Sequence, residues 1–166
     1  MTTRPVTMEA ESFAVARVIA LVRIATGILF LLFGEYKLAD SGFARGGFAQ
    51  YLQGFIDSSA LRFYVPFLLF VKSHSVVFGY AVGVTESLIG LSLVAGLYVR
   101  PMSVVGALFM LNLIASTWWD PGHGQRIWKY FGAELDHIPL LFLFLIFYAA
   151  NAGTTWGLDA RRDRNR

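Results

Sequence analysis

Four long apolar runs, at 15–34, 76–99, 102–119 and 138–156, dictate what this 166-residue chain can become. Each is close to the roughly 20 residues that an α-helix needs to cross the hydrocarbon core of a bilayer. In that solvent every backbone N–H and C=O must be satisfied internally, and within one short segment only a helix does so. The expected fold is therefore all-α, a bundle of four transmembrane helices. Composition agrees: 56% of the residues are apolar and only 15% charged, against about 25% charged in a typical soluble domain.

The segments around the runs complete the expected plan. Residues 35–60 are polar and turn-rich, with Gly46-Gly47 and Gly54, and read as a loop containing a short amphipathic piece. Residues 61–71 are apolar and aromatic but too short to span, with Arg62 near the start and Pro66 inside. They predict a re-entrant or interfacial segment between helices one and two. Residues 1–14 form a polar cytoplasmic lead without a signal-peptide pattern, ahead of a membrane domain over 15–156. Residues 157–166 form a basic cytoplasmic tail carrying Arg161, Arg162, Arg164 and Arg166. Four crossings return the chain to its starting side, and the positive-inside rule makes that side cytoplasmic. The chain is thus expected in the cell (inner) membrane, multi-pass, with both termini inside.

The sequence also excludes classes of chemistry. With no cysteine, disulfides, thiol relays, Cys-ligated zinc or iron–sulfur clusters and c-type haem are ruled out. The histidines His74, His123 and His137 show no helical ligand spacing, so no metal site is expected. The formal charge of +3 gathers in the tail rather than along a patch, so no nucleic-acid partner is expected. No phosphate-binding loop or nucleophile motif is present, and no resident cofactor is expected.

Chemistry inside the bilayer concentrates on helix two. Gly79, Gly83, Glu86 and Gly90 fall on one helical face, and a small-residue stripe lets helices approach closely, so Glu86 should face the bundle interior. A carboxylate there needs a proton, a cation or a donor. Arg23 shares a face of helix one with Gly27 and Gly34 and is the basic residue placed well inside a crossing, which makes it the expected partner. Two roles for that pair stay open: a structural ion pair that fixes helix register, or a ligand and proton site. Asn112 with Ser116, and Asn151 with Thr155, sit four apart and should hydrogen-bond between helices. The outer loop over 120–137 gathers Asp120, His123, Arg126, Lys129, Glu134 and His137.

Two blocks carry a resemblance. Arg23 followed by Gly27-Ile28-Leu29-Phe30 and Gly34-Glu35-Tyr36-Lys37-Leu38 forms the first; Glu86-Ser87-Leu88-Ile89-Gly90 followed by Gly96-Leu97-Tyr98-Val99-Arg100-Pro101 forms the second. Together they resemble the DoxX family of small four-helix membrane proteins, related to the DoxD subunit of thiosulfate:quinone oxidoreductase. The resemblance covers residues 17 to 156. It implies a quinone-linked or redox-associated membrane component that acts with partner proteins, and the missing cysteines remove any thiol-based role. The site residues inferred on this footing are Arg23, Lys37, Glu86, Arg100 and Asn112.

The expected function is an accessory subunit of a larger redox or energy-converting membrane complex. It would touch lipids and protein partners through aromatic and glycine-rich helix faces. The alternative is a quinone-interacting subunit, with a quinone as borrowed cofactor. Glu86 and Arg23 would then border a headgroup pocket walled by aromatics such as Phe30, Tyr80, Phe109 and Trp118. A small transporter or channel is a weaker reading, since no inverted repeat is visible.

Overall fold

The computed structural model describes residues 6–119, Arg126, Lys129, Phe131 and residues 134–163. Asp120, His123, Trp128 and Tyr130 of the stretch 120–137, and Arg164 and Arg166 of the tail, lie outside the described residues. The described chain is all-α, and three of its helices are long and apolar enough to cross a membrane.

Helix α1 spans Val6–Ala39, longer at both ends than the 15–34 expected. The lead from Val6 on contains helix formers such as Met, Glu and Ala, so nothing stops the helix there. At the other end Gly34 does not cap it, and Glu35-Tyr36-Lys37-Leu38 carry it one further turn. Asp40 ends it: its carboxylate accepts the Gly42 N–H at 2.8 Å, and its carbonyl accepts that of Phe43 at 3.1 Å. A π-helical turn, Phe43–Gly47, leads into α2, Phe48–Ser58. A single turn at Arg62–Tyr64 precedes α3, Val65–Ser73, with Pro66 in the first turn, where its missing N–H costs nothing. The expected loop and interfacial segment are thus two short helices, joined over a small core of Leu52, Leu68 and Val71.

Helix α4 spans Ser75–Ala95 and α5 Val99–Thr117. The break between them falls at Gly96, not at Arg100-Pro101. Gly96 is left-handed at φ 64° and closes α4, while Pro101 fits the first turn of α5. Helix α6, His137–Ala149, has 13 residues, about 20 Å of axis. It stops well short of the expected 156 because Asn151 turns left-handed at φ 49°. The chain then makes a turn at Ala152–Thr154 and folds back under the α4–α5 connection. There Leu158 and Asp159 donate their N–H groups to the carbonyls of Ala95 and Gly96, at 3.2 and 2.8 Å, before the last short helix α7, Asp159–Asp163.

The bundle is two helix pairs, α1 with α4 and α5 with α6. Between lipid-solvated helices there is little hydrophobic drive, so close packing has to hold them. The core supplies it: Phe30 of α1 meets Phe144 of α6 edge to face, centroids 5.4 Å apart, with Ile89, Leu93 and Met110 packed around them. Gly106 of α5 makes room for the Phe144 ring, which a Cβ there would overlap.

Candidate functional site

The α1–α4 seam is built on glycine. A Cβ at Gly90 would stand 2.8 Å from the Gly27 carbonyl oxygen, one at Gly27 2.9 Å from the Val94 nitrogen, and one at Gly83 3.1 Å from the Lys37 Cβ. Contacts this tight leave space for hydrogen only. They also fix an antiparallel register that sets Gly34 beside Ser87 and Arg23 beside Gly96.

That register corrects the expected pair. Glu86 lies level with Gly34, so Arg23 is about 11 residues, or roughly 17 Å of helix axis, away from it. Lys37 takes the place instead and forms an ion pair with Glu86 Oε1. Side chains on a helix lean toward its N-terminus. In antiparallel neighbours the Lys37 stem leans toward Gly34 and the Glu86 stem toward Gly83, so the two converge. The ammonium also lies 5.8 Å from the Phe33 ring centroid and 5.7 Å from that of Phe43, within cation–π range. Glu86 Oε2 is buried and has no hydrogen-bond partner among the described residues.

Arg23 serves the opposite end. It is fully buried, Nη2 donates to the Trp156 carbonyl at 3.1 Å, and the guanidinium packs against Gly96 and Gly157. Asp159 supplies the countercharge. The Asp159 carboxylate meanwhile accepts the N–H groups of Tyr98 at 2.9 Å and Val99 at 3.0 Å, capping α5. Sequence reasoning assigned Asp159 to the tail and missed this role; an acid following Gly157-Leu158 was the available signal.

The remaining expected residues are elsewhere. Arg100 stacks on the Tyr148 ring at 4.6 Å. Asn112 Oδ1 accepts the Tyr64 hydroxyl at 2.6 Å, tying α5 to the turn before α3 rather than to a neighbouring long helix. Burial raises the Tyr64 phenol above its ordinary pKa of 10.0, and a hydrogen bond with Ser116 offsets part of that rise. Phe30 belongs to the core and Trp118 pairs with Phe131 at 5.7 Å, so the expected aromatic walls do not enclose one pocket. His74 and His137 also have separate partners. His137 Nδ1 lies 3.3 Å from Glu134, a buried acid that also accepts the Thr117 hydroxyl at 2.7 Å. His74 Nδ1 lies 2.9 Å from the Ser73 hydroxyl.

The five expected site residues therefore resolve into one contacting pair, Lys37 with Glu86, and three separate structural engagements. The glycine faces expected to meet a partner are already spent on each other.

A family model, DoxX, matches residues 18–119, a stretch that holds all five of these residues and ends before α6. No curated protein and no solved structure matches the chain.

Proposed function

The chain belongs to the DoxX family, and from that premise we propose that it is an integral membrane accessory subunit of a larger redox or energy-converting complex. The observation that supports this is the direction of its motif residues. Gly27, Gly34, Gly83 and Gly90 are consumed in the α1–α4 seam, and Lys37 and Glu86 neutralise each other inside it. What the chain turns outward is apolar: Val18, Leu21, Leu29, Leu32 and Phe33 of α1 are each more than half exposed. Such a face suits lipid chains and partner helices, whereas the inward charges act as architecture. In this reading α6 and the turns after it form the fourth crossing, α2 and α3 lie at the membrane interface, and both termini are on the cytoplasmic side of the inner membrane.

One observation favours a second reading, a quinone headgroup site. Glu86 Oε2 is buried without a donor among the described residues, next to an ammonium. A hydroxyl of a reduced quinone would satisfy that oxygen, and Lys37 would donate to a carbonyl in the role first expected of Arg23. A bound quinone would supply two-electron redox chemistry that the chain's own side chains lack.

Glu86→Gln in the native membrane separates the two. The accessory role predicts that the variant alters the yield of the assembled complex while the assembled fraction turns over normally. A headgroup role predicts that the assembled fraction itself loses turnover.

A further inference from the structure

A second site lies outside the seam. Between the last turn of α1 and one face of α2 runs an open groove of about 640 Å³, lined by Tyr36, Asp40, Phe43, Gln50, Tyr51 and Gly54 among others. That volume is in the range of small-molecule pockets. We propose that this groove binds an organic ammonium ion, either the headgroup of a choline or ethanolamine lipid or a free amine of the same kind. The proposal is independent of the accessory role, and neither stands or falls with the other.

One lining residue is Gly54. It sits inside α2, where glycine is the least favourable residue after proline. The seam glycines are explained by close contact, but a Cβ on Gly54 would meet nothing within 4 Å. No packing constraint accounts for it. With glycine at this lining position, no side chain from it occupies the groove.

Tyr36, Phe43 and Tyr51 contribute aromatic rings to the lining. Phe43 lies 6.1 Å from the Tyr36 ring and 6.3 Å from that of Tyr51, centroid to centroid, so three rings gather at one place. Tyr36 is 49% and Tyr51 58% exposed, whereas Phe43 is buried beneath them, so the two tyrosines are the rings open to a ligand. Aromatic faces carry a negative quadrupole and attract cations, quaternary ammonium groups above all.

The lining is also charged. Asp40 is the charged residue in the lining, accompanied by neutral Gln50 and Ser58. The bond from the Gly42 N–H to its Oδ1 holds that carboxylate at the rim. Lys37 approaches the Phe43 ring, but its charge is neutralised by Glu86. Anchoring at the membrane interface would account for two tyrosines. It would not account for an acid and an unfilled helical glycine in the same groove.

The test is saturation-transfer NMR of choline chloride on the purified full chain in nonionic detergent. The proposal predicts saturable transfer to the choline methyl groups, absent for Gly54→Leu and weakened about threefold or more by Tyr51→Ala or Asp40→Asn. Thermal melting confirms that Gly54→Leu is folded. Repeating the titration in nanodiscs distinguishes the sources. Choline excluded from phosphatidylcholine discs but bound in phosphatidylglycerol discs identifies a lipid headgroup, whereas equal binding in both identifies a free amine. Absence of saturable transfer, or an unchanged signal in Gly54→Leu, overturns the proposal and leaves the tyrosines as interface anchors.

Discussion

Lys37 of α1 closes an ion pair with Glu86 of α4 across a glycine-lined seam. Both side chains are largely buried, at 16% and 8% exposure. A buried pair of this kind is costly to break from one side, because the remaining charge has no partner. Lys37→Met or Glu86→Leu alone should destabilise the bundle by about 3–5 kcal/mol. The double variant should recover most of that loss. Thermal unfolding of the three variants in one detergent measures the coupling; additive losses would show that the charges do not act as a pair.

The same substitution should have opposite signs at two glycines. Gly90→Ala drives a methyl group toward the Gly27 carbonyl and Leu31 nitrogen, both 2.8 Å away, and should cost about 1–3 kcal/mol. Gly54→Ala meets open space and should stabilise α2 by about 0.5–1 kcal/mol. Melting temperatures of the two variants check the pair of signs.

Asp159 holds the C-terminal return to the bundle. Its carboxylate caps α5 and faces Arg23, so Asp159→Ala should cost about 1–2 kcal/mol from the cap alone, with a further loss from the unpaired guanidinium. Repeating the substitution in an Arg23→Met background isolates the second part. The loss should then fall to the capping value.

Tyr64 predicts a pH dependence. Its pKa is raised in the folded chain, so the native state holds the phenolic proton more tightly than the unfolded state. Its contribution is fully present below the ordinary value of 10.0 and is lost as pH rises through the higher folded value. Stability should therefore fall more steeply above pH 10.0 for the parent chain than for Tyr64→Phe. Parallel slopes would mean that another group carries the effect.

The helices were legible because hydrophobic length and glycine spacing are properties of the chain alone. Glu86 was correctly read as facing inward from the steps linking Gly79, Gly83 and Gly90. Its partner was not legible, for two physical reasons. A helical face says which residues point inward but not how far two helices slide past each other, and that offset separates Arg23 from Glu86. Lys37 belongs to the expected site, but the sequence places it in a loop, because an apolar run ending at Gly34 hides a polar turn of helix that follows it. The early end of α6 was hidden similarly: Asn151 in a left-handed turn interrupts what reads as an apolar span. The groove at Tyr36 and Tyr51 depends on the turn at Phe43–Gly47, whose geometry no periodicity announces.

The motif charges Lys37 and Glu86 hold the bundle together from inside the seam, and the proposed accessory role rests on the apolar surface outside it. Mild purification of the chain from its native membrane, followed by mass spectrometry of copurifying proteins and quinones, tests it most directly. The expected result is a stable complex with larger partner proteins and no stoichiometric quinone on this chain. A chain isolated without partners, carrying one quinone that is lost in Glu86→Gln, would contradict it and make the Lys37–Glu86 pair a headgroup site.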